Sequence, residues 1–199
     1  GQYDQPLPAP GVDTGMGLER SAAVLGGFKS VYDTDAFQPI IRVIEEIGVP
    51  GLRYGDDSDR DTAIRIIADH IRTACFCIAD GILPGNSGRG YVLRRLIRRA
   101  GLKGQRVLGF EKPFFHEVYE GVVRALGDHY HELVERRDVI LETLRNEEAM
   151  FRRTVAAGLG ILEEAIEEVL ARAEAKHQAG HKILDGATAF KLYDTFGFP

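Results

Sequence analysis

Along TAIRIIADHIRTACFCIADG the apolar positions Ile64, Ile67, Ala68, Ile71, Cys75 and Ile78 recur at three- and four-residue intervals, the period of a helix that buries one face. Asp59 or Asp61, just ahead of that run, supplies an N-cap. The pattern returns downstream. YVLRRLIRRAGL puts Leu93, Leu96, Ile97 and Ala100 on one stripe and Arg94, Arg95, Arg98 and Arg99 on the opposite face, so this helix is half buried and half cationic. PFFHEVYEGVVRALG is a further amphipathic helix, and Glu132 to His177 is a long helical stretch, bent around Gly158 and Gly160. Upstream, AFQPIIRVIEEIG reads as a helix capped by Thr34 or Asp35, with Pro39 in its first turn and Gly48 at its end.

Polar and turn-forming stretches separate these helices. VPGLRYGDDSDRD and LPGNSGRG are connections, and the closing KILDGATAFKLYDTFGFP combines a turn, a helix and aromatic residues. The opening GQYDQPLPAP has three prolines and forms a loop or a short extended segment. Only Pro8 to Thr14 has strand character, and a lone strand needs a sheet that this sequence does not contain. The chain is therefore expected to be truncated at its beginning, and the apolar FGFP suggests a cut at its end. No internal repeat or low-complexity segment interrupts the pattern. The fold class expected is mainly α.

Composition places the 199 residues, 44% hydrophobic and 28% charged, among soluble globular chains of one or two domains. No apolar run approaches the roughly 20 residues of a membrane span, and no signal peptide precedes the first helix, so a cytoplasmic location is expected. Charge changes the picture more. The net charge is −5, yet Arg89 to Arg106 holds seven basic residues and no acid. A positive patch on an acidic body fits a specific polyanion site better than nonspecific binding. Within it, the arginine stripe has no compensating acid nearby in sequence and repels itself unless phosphates neutralise it. A solvated charged face is the plainer reading of the same run.

Candidate chemistry begins at VDTGMGLER. Gly15 and Gly17 permit close backbone approach, the helix start offers free N–H donors, and Arg20 lies in the first turn; together these suit a phosphorylated ligand. On spacing alone, a glycine turn before a helix with Arg20 in a surface salt bridge fits as well. Asp69 and His70 are adjacent on a helix and point about 100° apart, so they are not expected to form an orienting pair. Cys75 and Cys77 have no Cys or His partners at metal-ligand spacing and read as reduced core thiols. No metal site is expected.

VDTGMGLER, then ADHIR, RGYVLRRLIRRA and LYDTFGFP in that order, resemble the alanyl-tRNA synthetase family of class II aminoacyl-tRNA synthetases across essentially the whole chain. The resemblance implies ATP-dependent ligation of alanine to tRNA(Ala) through an enzyme-bound adenylate, with ATP carrying magnesium. It implies an internal piece: residues 1–32 as the last strand and helix of the antiparallel-sheet catalytic domain, and 33–199 as the helical tRNA-recognition domain. Earlier catalytic motifs, a zinc-binding editing domain and an oligomerisation domain would lie outside the chain, which alone is expected to be inactive.

By the same resemblance Arg20 is catalytic, holding the γ-phosphate of a bent ATP. Gly15 and Gly17 lie against adenine and ribose, and Asp13 pairs with the amino group of alanine. Arg89, Tyr91, Arg94, Arg95, Arg98 and Arg99 bind the tRNA acceptor stem. The two positions that read a guanine·uracil wobble pair fall on Asn86 and Asp194. Taken alone, Asn86 in PGNSG is also a good turn residue, and Asp194 could cap a turn. A helical RNA-binding or interaction module without nucleotide chemistry is the competing function class.

Overall fold

The computed structural model describes Gly11, residues 13–175 and residues 184–194. Eight α-helices carry these residues: α1 (Leu18–Leu25), α2 (Gln38–Ile47), α3 (Ser58–Ala79), α4 (Gly88–Arg106), α5 (Phe115–Leu126), α6 (Glu132–Glu135), α7 (Arg137–Ala175) and α8 (Gly186–Asp194). A 3-10 turn over Val31–Asp33 links α1 to α2. No strand occurs among the described residues; the strand expected at Pro8 to Thr14 lies mostly outside them.

α3 is the axis of the bundle. It packs against α2, α4, α5, α6 and α7, which explains why its stripe of Ile64, Ile67, Ile71, Cys75 and Ile78 is fully buried. α2 and α5 pair closely, contributing Ile40, Ile41 and Ile44 on one side and Phe115, Val118, Tyr119 and Val122 on the other. α4 closes the core with Leu93, Ile97 and Ala100. Leu96, expected on that stripe, is only half buried.

Several local expectations change. α3 is capped by Asp57, whose carboxylate accepts the backbone N–H groups of Asp59 and Arg60 at 2.9 Å each. Those bonds hold the Asp57 carboxyl below its usual range, the Arg60 bond most. Asp61 instead turns inward and accepts the Gly55 N–H at 2.8 Å. Neither Thr34 nor Asp35 caps α2: the Thr34 hydroxyl donates back to the Val31 carbonyl at 2.6 Å, and Ser30 with Asp33 forms a capping box on the preceding turn. Pro39 does sit in the first turn of α2, and Gly48 ends it. The stretch from Glu132 is broken at Arg136, after which α7 runs helically through Gly158 and Gly160.

Candidate nucleic-acid interface

The loop before α4 is held against the helix by backbone. The Gly85 N–H donates to the Gly90 carbonyl at 3.0 Å. A Cβ on Gly90 would lie 2.6 Å from the Leu83 carbonyl oxygen, closer than atoms can approach, so only glycine lets the loop settle there. Gly88, with φ of 55°, turns the chain into the helix. These contacts bring exposed Asn86 over the first turns of α4. Its Oδ1 accepts from Nη1 of Arg94. The side-chain hydrogen bond found for it among the described residues goes to α4 rather than to its own loop.

The arginine face divides in two. Arg94 and Arg98 are half buried, and both reach an acid that is distant in sequence: Nε of Arg94 lies 3.1 Å from Oε1 of Glu147, and Nε of Arg98 lies 3.0 Å from the same oxygen. Glu147 comes from α7 and is 4% exposed. The expected unpaired stripe is therefore corrected, because tertiary packing supplies the counter-charge that the local sequence lacks. Arg89, Arg95 and Arg99 are exposed, with no acid in ion-pair range among the described residues. Tyr91 stands beside them, 44% exposed.

At the other end, Asp13, Gly15, Gly17 and Arg20 are all exposed. Asp13 Oδ1 accepts the Thr14 N–H at 2.7 Å. Gly17 is the N-cap of α1, and the Arg20 stem folds back over it, about where a Cβ would be 3.5 Å away. No described bond joins these residues to Asn86 or α4. Asp194 ends α8, and its side chain lies outside the described residues.

α1 is tied to α3 through ions. Nη1 of Arg72 donates to Glu19 at 2.8 Å, its other arm lies 3.9 Å from Asp69, and its guanidinium stacks 4.2 Å from the centroid of Phe37. Asp69 also meets Nδ1 of His70 at 2.9 Å, which corrects the expectation that the two could not pair. Their Cβ atoms diverge, but two rotatable bonds on each side chain let the tips converge. The bond to His70 is the main cause of a lowered Asp69 pKa. Cys75 is buried, with its thiol pKa pushed up by desolvation, and Cys77 is half buried. Among the described residues no group of three or more His, Cys, Asp or Glu side chains could hold a metal, and no helix is long and apolar enough to cross a membrane.

The family model for tRNA synthetases class II (A) matches residues 1–199. The chain belongs to that family. It is 48% identical over 202 aligned residues to an alanine–tRNA ligase of Anaeromyxobacter sp. (strain Fw109-5), covering 98% of this chain and 22% of that protein. It is 47% identical to the alanine–tRNA ligase of Geobacillus kaustophilus (strain HTA426), over 98% of this chain and 21% of the relative. For Thermoanaerobacter sp. (strain X514) the identity is 43%, covering 100% and 21%. The chain thus spans about a fifth of the length of the curated relatives it matches.

In this class II synthetase chain, sequence reasoning missed two buried acids. Ile140, Leu141, Leu144, Phe151 and Val155 form the buried stripe of α7, and Glu147 and Glu148 occupy its middle. Glu148 accepts the N–H groups of Phe114 and Phe115 at 3.0 to 3.2 Å, capping α5, and burial raises its carboxyl pKa. Acids at apolar stripe positions were the available signal, since a buried carboxylate requires partners.

Proposed function

We propose that this chain is part of a cytoplasmic alanine–tRNA ligase, which activates alanine with ATP and transfers it to tRNA(Ala), and that its helical region recognises the acceptor stem. The observation that carries the proposal is 43–48% identity to alanine–tRNA ligases along 98–100% of the chain. Residues 1–32 are assigned to the end of the antiparallel-sheet catalytic domain and 33–199 to tRNA recognition.

The exposed backbone at Gly15 and Gly17 suits close approach by adenine and ribose, since nothing lies within 4 Å of a Cβ built on Gly15. Arg20 would place its guanidinium on the terminal phosphate of ATP, and Asp13 its carboxylate on the amino group of alanine. ATP would bring magnesium, which neutralises phosphate charge during transfer. Arg89, Arg95 and Arg99 would grip stem phosphates directly, with Arg94 and Arg98 adding positive charge beneath them and Tyr91 meeting the sugar edge. In an A-form stem the readable groove is the minor one, where a wobble pair presents guanine's amino group beside uracil O2. Asn86 can donate and accept there, and Asp194 can accept.

The test compares hairpins that carry G·U or G·C at one acceptor-stem position. Tighter binding to G·U, lost in Asn86→Ala and in Asp194→Ala, is expected; equal affinity for both hairpins would refute the recognition reading. For the nucleotide site, Arg20→Ala in the full-length protein should abolish alanine-dependent pyrophosphate exchange while leaving hairpin binding intact. Exchange at the normal rate would favour a binding module in which the glycine motif is only a scaffold.

A further inference from the structure

Asn86 is an exposed amide on a loop, where several rotamers lie close in energy, whereas reading a base edge needs one of them. Three bonds in series remove that freedom. Arg94 donates through Nη1 to Asn86 Oδ1. The same guanidinium donates through Nε to Oε2 of Glu147 at 3.3 Å and lies 3.1 Å from Oε1 as an ion pair. Arg98 donates to Glu147 at 3.0 Å and braces it from the next turn of α4. Glu147 is 4% exposed on a helix whose neighbours Leu144 and Phe151 are buried, so packing fixes its carboxylate.

We infer that Glu147 is a positioning residue for RNA discrimination: through Arg94 it fixes the Asn86 amide with its oxygen engaged and its Nδ2 donors left for an acceptor on the minor-groove edge. The inference rests on the reading of Asn86 as a base-edge reader. It deepens that reading in two ways. Asn86 acts chiefly as a donor, suited to uracil O2, which leaves guanine's amino group to an acceptor elsewhere. Arg94 serves as a strut more than as a phosphate contact. Arg94 uses two nitrogens of one rigid fork, Nε for the carboxylate and Nη1 for the amide, whereas a lysine ammonium has all three donors on a single nitrogen and does not reproduce that spacing.

The test uses the full-length protein and the paired G·U and G·C hairpins, titrated at several salt concentrations, with Asn86→Ala, Glu147→Gln and Arg94→Lys. Wild type should favour G·U, and Asn86→Ala should lose that preference. Glu147→Gln should lower the G·U to G·C affinity ratio about tenfold toward one, the scale of one good base contact. Its affinity for the G·C hairpin should not fall, because loss of the carboxylate only adds positive charge beneath the arginine face. Arg94→Lys keeps the charge and should show the same loss, which covers the case in which Glu147→Gln fails to fold.

An unchanged ratio in both variants, with Asn86→Ala still losing preference, overturns this inference alone. Equal weakening on both hairpins together with a lowered melting temperature assigns Glu147 a merely structural role and also overturns it. A wild-type ratio of one removes the reading of Asn86 and this inference with it.

Discussion

Gly90 shows how one missing carbon positions a candidate reader. Its absent Cβ is what allows the Leu83 carbonyl to approach α4. Gly90→Ala must displace the loop, and a shift of that kind in a packed site costs about 1–3 kcal/mol. Thermal unfolding should fall by a few degrees, and any preference for G·U should fall with it; an unchanged melting temperature would show that the loop relaxes freely. Glu148 makes a different point. It serves two N–H donors and lies 3.5 Å from Arg152 while 1% exposed. Glu148→Ala leaves those donors buried without a partner, a loss of roughly 3 kcal/mol. Glu148→Gln keeps one acceptor and removes a charge that burial disfavours, so calorimetry should find it clearly milder than alanine.

At the scale of elements, two helices depend on charges from elsewhere. α1 is tied to α3 by the Glu19–Arg72 ion pair, and Asp69 flanks Arg72 from α3 itself. Both carboxyls have lowered pKa values, Glu19 chiefly through a backbone hydrogen bond and Asp69 chiefly through His70. A depressed folded pKa stabilises the fold above the unfolded value, about 4 for these groups, and that stabilisation is lost as pH falls through the folded value. Hydrogen-exchange protection of α1, corrected for intrinsic rates, should therefore hold at neutral pH and decline below about pH 4. Arg72→Gln should show low protection at both; pH-independent protection in wild type would refute the link. α4 is the second case. Arg95→Ala and Arg99→Ala should each reduce the salt dependence of RNA binding by about one unit of slope if each meets one phosphate. Slopes equal to wild type would remove both from the phosphate contacts.

Across the whole molecule, what was legible in the sequence was what local periodicity encodes. α3, α4 and α5 announce themselves because their apolar positions repeat at helical spacing and their cores are filled by those same residues. The partners of the charged groups were not legible. Glu147 reaches Arg94 and Arg98 across 53 and 49 residues, and no local pattern carries a contact of that span. The caps failed for a nearer reason: four acids, Asp56, Asp57, Asp59 and Asp61, crowd the start of α3, and loop geometry rather than residue type decides that Asp57 caps while Asp61 turns inward. The wobble reading of Asn86 and Asp194 came from resemblance and remains a proposal that RNA must test.

The most direct test watches Asn86 itself. The chain has two asparagines, Asn86 and Asn146, so selective ¹⁵N labelling leaves two side-chain amide pairs in the NMR spectrum, with Asn146 on α7 as the internal reference. Titration with the G·U hairpin should shift the Asn86 Nδ2 signals, and the G·C hairpin should leave them near their free positions. Identical shifts with both hairpins, or none with either, would contradict recognition of the wobble pair by this loop.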